Sequence, residues 1–127
     1  MSTIRHIGFY VNDLLSSVNF FIDIGFEICY NKEEDWGNDL GKISIIKLKD
    51  VNGNVLEILQ SSKNNIPTSS HIALSINNIE KVCTNLSSKG IEFLVNCRKS
   101  PDGSVLVAFC KDPYGIIVEL VEQIEQQ

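Results

Sequence analysis

Apolar and polar residues alternate with a period of two from His6 onward: Ile7, Phe9 and Val11 on one side, His6, Gly8 and Tyr10 on the other. That pattern predicts a strand with two unlike faces. Leu14, Val18, Phe21 and Ile22 then recur at helical spacing, with Asn12 or Asp13 placed as N-cap and Gly25 as the left-handed residue that ends the helix. Three more strand-like runs follow, at about Phe26 to Lys32, Lys42 to Lys49 and Asn54 to Gln60. The last two flank "DVNGN", whose Asn-Gly pair is a strong hairpin signal.

The same order then returns. "HIGFYVNDLLSSVNFFIDIGFEI", which starts at His6, aligns without a gap on "HIALSINNIEKVCTNLSSKGIEF", which starts at His71, and Gly25 and Gly90 each fall 19 residues after their histidine. Ile79, Val82, Cys83 and Leu86 repeat the helical stripe, and Asn77 with Glu80 reads as a capping box. Strand-like runs at about Ile91 to Arg98, Ser104 to Cys110 and Ile116 to Glu122 are separated by the turn sequences "SPDG" and "DPYG". The expectation is an α+β chain with one domain over residues 1–127, built from two tandem βαβββ modules at about 1–62 and 68–127 and linked by the polar stretch "SSKNNIPTSS". Duplicated modules of this kind pack around a pseudo-twofold axis.

Alternation also fixes which side of each strand the charged residues use. Ile7, Phe9 and Val11 suit the helix side, so His6 faces away; Ile72, Leu74 and Ile76 leave His71 in the same position. Leu56 and Ile58 oppose Glu57, and Val118 and Leu120 oppose Glu119. A single strand histidine is ordinarily a hydrogen-bonded structural residue. A carboxylate inside "VLEIL" or "IVELV" is different, because its burial is costly without a cation or several donors, and neither acid-bearing strand contains a lysine or arginine. Two histidines and two glutamates at repeat-related positions point to a divalent metal site made of His6, Glu57, His71 and Glu119.

Composition narrows the setting. The 43% hydrophobic and 21% charged fractions are those of a globular chain, and no apolar run approaches the roughly 20 residues that cross a bilayer. A formal charge of −5 speaks against a nucleic-acid partner. Cys29, Cys83, Cys97 and Cys110 form no CxxC pair and have apolar neighbours, so they read as four buried free thiols in a reducing compartment. With no leader-like start, a cytoplasmic location is expected.

At these residues the chain resembles the vicinal oxygen chelate superfamily, which includes glyoxalase I, methylmalonyl-CoA epimerase, extradiol dioxygenases and bleomycin-binding proteins. The resemblance runs from "HIGFYVND" to "DPYGIIVELVE". It implies paired modules forming a metal-holding cup, commonly in a homodimer, around a small-molecule substrate. Bacterial glyoxalase I is similar in using His, Glu, His and Glu at the positions matched by His6, Glu57, His71 and Glu119. That likeness implies Ni²⁺ or Zn²⁺, with Mn²⁺, Co²⁺ or Fe²⁺ as further choices. It also implies a metal-dependent lyase or isomerase that moves a proton through a metal-bound enediolate, with Glu119 as catalytic base and Glu57 sharing the task.

The alternatives are an epimerase or other enolising enzyme on a non-glutathione substrate, or a non-catalytic drug- or metabolite-binding protein. In the epimerases the position of Glu57 is usually glutamine. Glutathione-using glyoxalases often carry an arginine four residues after the first ligand, where this chain has Tyr10. Tyr10 and Trp36 are candidates for a pocket or for the core, and "EEDWGND", from Glu33, reads as a polar loop.

Overall fold

A computed structural model describes residues 2–63 and 70–124. The chain divides into two compact units: His6–Ser70, and a second that joins the residues before His6 to those from His71 onward. Residues 64–69 of the expected linker lie outside the described residues.

The first unit holds β1 (Thr3–Tyr10, entering at His6), α1 (Leu14–Asp23), β2 (Glu27–Asp35), α2 (Gly37–Leu40), β3 (Lys42–Lys49) and β4 (Val55–Ser61). Its strands lie in the order β2-β3-β4-β1. β1 and β4 are parallel, and the other neighbours are antiparallel. The second unit repeats the plan with β5 (His71–Ser75), α3 (Ile79–Ser88), β6 (Phe93–Lys99), β7 (Val105–Lys111) and β8 (Ile117–Gln123), in the order β5-β8-β7-β6. This is the α+β, twice-βαβββ architecture that the periodicity predicts.

α1 and α3 each cover one face of their own unit's strands. In the first unit Val18 from α1 packs with Ile46, Leu48 and Ile58, joined by Phe9, Val11, Leu14, Phe21 and Phe26. In the second, Ile79, Ala108, Cys110 and Leu120 are the centre, with Val82, Cys83 and Leu86 from α3 against them. Burying a leucine or isoleucine fully stabilises the fold by about 1.5–3 kcal/mol relative to exposure, so Leu48, Ile58 and Ile79 anchor these layers.

Both helices end in the predicted way. Gly25 at φ 110° donates to Ile22 O while Phe26 N–H reaches Phe21 O, and Gly90 at φ 84° with Ile91 repeats the pair of bonds on Ser87 and Leu86. The starts differ. Asp13 caps α1 through Ser16 N–H, and Gln60 Oε1 on β4 accepts from Leu14 N–H. The capping box expected from Asn77 and Glu80 does not form. The N-cap is Asn78, in the left-handed region at φ 57°, and Glu122 on β8 takes both the Ile79 and Asn78 N–H groups at 2.9 Å.

Four local expectations need correcting. Ile22 on α1 and Ile7 on β1 are exposed rather than core, at 40% and 39%. Cys29 is exposed on β2. Of the other three, Cys110 is buried and Cys83 and Cys97 are half-buried against the second core, where burial, aided by Cys97 and Cys110, pushes the Cys83 thiol up to about 11. The "EEDWGND" stretch is not a loop: Glu33 to Asp35 extend β2 and α2 follows. Trp36 is buried. Among the described residues no helix is long and apolar enough to cross a membrane.

Candidate metal centre

Within each unit the parallel strand pair brings a histidine to a glutamate in the same register. Gly8 lies opposite Glu57, so His6 stands two residues before the partner of its glutamate; Ala73 lies opposite Glu119, and His71 stands two residues before it. A two-residue offset keeps both side chains on one face of the sheet. His6 Nε2 is 3.3 Å from Glu57 Oε1, and His71 Nε2 is 3.2 Å from Glu119 Oε1.

All four side chains are buried, with His6 and His71 at 4%, Glu57 at 7% and Glu119 at 8% exposure. They face away from the helices, as alternation requires, since Ile58 and Leu120 on either side belong to the helix-packed cores. Each unit thus sets an imidazole nitrogen beside a carboxylate oxygen out of water. These are the donors that first-row divalent ions accept. His6 with Glu57 in one unit, and His71 with Glu119 in the other, are two like pairs of residues that could hold a metal ion.

The surroundings of the two pairs differ. In the first unit Lys47 on β3 is the register partner of Glu57, and its Nζ is 3.8 Å from Glu57 Oε2. Tyr30 on β2 is the next residue outward, with the Lys47 ammonium 4.7 Å from its ring centroid. Glu34 fixes the aromatic side chains here, accepting from Tyr30 O–H at 3.3 Å and from Trp36 Nε1–H at 3.2 Å. In the second unit the partner of Glu119 is Phe109, whose ring meets His71 edge-on at 5.7 Å, and the next residue outward is Val95.

Lys47 and Tyr30 leave no trace along the acid-bearing strand itself, because both lie across the sheet from Glu57. The signal lies in the hairpin. Asn52 is the midpoint of "DVNGN", and counting outward from it pairs Lys49 with Val55 and Lys47 with Glu57. Trp36 belongs to a buried hydrogen-bonded group rather than to a solvated loop.

Residues 3–120 match the family model of the Glyoxalase/Bleomycin resistance protein/Dioxygenase superfamily. The chain belongs to that superfamily. No curated protein matches the chain in sequence. Among solved structures, this superfamily member is similar to methylmalonyl-CoA epimerase from Mycobacterium tuberculosis, with a TM-score of 0.75, 18% identity, and coverage of 96% of this chain and 88% of that one. It is also similar to a hypothetical protein from Bacillus halodurans, with a TM-score of 0.74, 19% identity, and coverage of 99% and 97%. A methylmalonyl-CoA epimerase from Streptomyces coelicolor gives a TM-score of 0.71, 21% identity and coverage of 98% of each chain. At these identities the likeness is one of fold.

Proposed function

We propose that the chain is an epimerase-type enolising enzyme that depends on a divalent metal held by His6, Glu57, His71 and Glu119. The observation that carries this reading is the duplicated contact of a buried imidazole with a buried carboxylate, at 3.3 and 3.2 Å. Paired imidazole and carboxylate donors held out of water are the ligand set that first-row divalent ions take. The epimerases among the similar folds support this reading over the glyoxalase I type.

When bound, the ion would supply a Lewis acid for the substrate's oxygens. The protein's own residues do the rest. Glu119 takes a proton from the carbon beside a carbonyl, and Glu57, the equivalent acid of the other unit, returns one. Phe109 holds the His71 ring in place and, with Val95, gives the second pair an apolar flank that lowers the local dielectric. Lysine at position 47 gives the first pair a charged flank instead.

A glyoxalase I type reaction is the second reading, and Glu57 favours it, since all four ligand letters match the glyoxalase set. The two readings separate in one assay series. Protein loaded with Ni²⁺, Zn²⁺ or Co²⁺ is incubated in deuterium oxide with methylmalonyl-CoA, and separately with the hemithioacetal of methylglyoxal and glutathione. The epimerase reading expects deuterium at the carbon next to the thioester carbonyl and little change in the hemithioacetal. Turnover of the hemithioacetal alone replaces it with the glyoxalase reading. Inertness toward both by the metal-loaded protein overturns this assignment of the reaction.

A further inference from the structure

The duplicated units carry one row of register-matched positions across their strands. In the first unit it reads Gly8, Glu57, Lys47, Tyr30, and in the second Ala73, Glu119, Phe109, Val95. The ligand position is kept. The neighbour one strand out is a cation in one row and an aromatic ring in the other.

From this we infer that Lys47 is a substrate-binding residue, whose ammonium receives an anionic oxygen of the substrate beside Glu57. The inference rests on the enolising reading above and adds the substrate's charge and the residue that reads it.

Three observations carry it. First, Lys47 is the only charged residue inside β3, since Lys42 and Lys49 sit at the strand ends, and the flanking Ile46 and Leu48 are core residues of the opposite face. A charge in the middle of a sheet is costly unless it is used. Second, the contact with Glu57 is loose. At 3.8 Å it is an ion pair longer than the roughly 2.7–3.2 Å of a hydrogen bond, and a quarter of the Lys47 side chain remains open to solvent. Third, the side chain is held from its other flank. The Tyr30 ring lies under the ammonium and is itself tied to Glu34, so the cation is set in place before any ligand arrives.

The test uses two small probes that differ by one charge: malonate, with two carboxylates, and malonamate, in which one is an amide. Their affinities are measured by calorimetry on the metal-loaded full chain, on Lys47→Met and on Lys47→Arg, with metal content determined for each. Wild type is expected to bind malonate about tenfold or more tightly than malonamate. Lys47→Met should lower that ratio severalfold at unchanged metal content, leaving only the preference of the metal itself for a second carboxylate, while Lys47→Arg keeps most of it; a ratio unchanged in Lys47→Met overturns the proposal. A wild type that does not distinguish the probes overturns the proposal. Equal losses for both probes, together with lower metal content in Lys47→Met, also overturn it and make Lys47 a positioning residue for Glu57. If wild type binds no metal, the proposed function fails, and the probe ratio on the metal-free protein still decides for or against Lys47.

Discussion

The two units of this chain share a backbone plan down to the register of single residues, yet they surround the same His–Glu pair with opposite chemistry. Glu57 has Lys47 and then Tyr30 across the sheet; Glu119 has Phe109 and then Val95. Strand pairing is set by hairpins and the apolar face, so a duplicated module keeps its ligands in place with no further specification. Side chains one strand away carry no such duty and are where the units diverge. The caps differ in the same way. Gln60 and Glu122 both reach the start of their unit's helix from its last strand, but only Glu122 brings a charge.

Removing the carboxylates one at a time should have the largest effect. Glu119→Gln is expected to lower kcat by about 10²–10⁴, the range for loss of a general base, while leaving far-ultraviolet circular dichroism unchanged. Glu57→Gln should cost less, because it has Lys47 beside it and returns rather than abstracts the proton. Equal losses in the two variants would mean that the flanking residues do not differentiate the acids.

A smaller effect sharpens the contrast between the caps. The N–H groups of Ile79 and Asn78 hold the Glu122 carboxyl below its ordinary value of 4.5. A carboxyl lowered in the folded state contributes stability above its unfolded value, and that contribution is lost as pH falls through the folded value. Protection of the first α3 amides against hydrogen exchange should therefore fall below about pH 4.5 in wild type and become flatter with pH in Glu122→Gln. The Leu14 amide of α1, held by neutral Gln60 at the equivalent place, should change less with pH. Identical acid profiles in wild type and Glu122→Gln would show that the carboxylate cap is not what the helix start depends on.

Much of this was legible in the residues because short-range rules govern it. The period-2 strands, "DVNGN" and "DPYG" turns and Gly25 and Gly90 helix stops depend on a few neighbours each, and the stripe of α3 from Ile79 to Leu86 packs as its spacing predicts. What was missed depends on partners distant in sequence. Glu122 caps α3 from a strand more than 40 residues away, so no local capping box could reveal it. Ile22 has helical spacing but lies outside the arc that β3 and β4 cover. Cys29 has apolar neighbours in sequence yet is exposed, because β2 is an end strand of its unit with most residues exposed. The four candidate ligands followed from alternation, whereas Lys47 required counting across a hairpin.

We propose one ion for the two His–Glu pairs, so the number of ions bound per chain separates a shared site from two independent ones. Purified protein, dialysed against Ni²⁺, Zn²⁺ or Co²⁺ and analysed by mass spectrometry under native conditions, should carry about one ion per chain. His6→Ala and His71→Ala should each lose it. Protein that takes up no divalent ion, or in which each single variant retains an ion at the remaining pair, would contradict the claim.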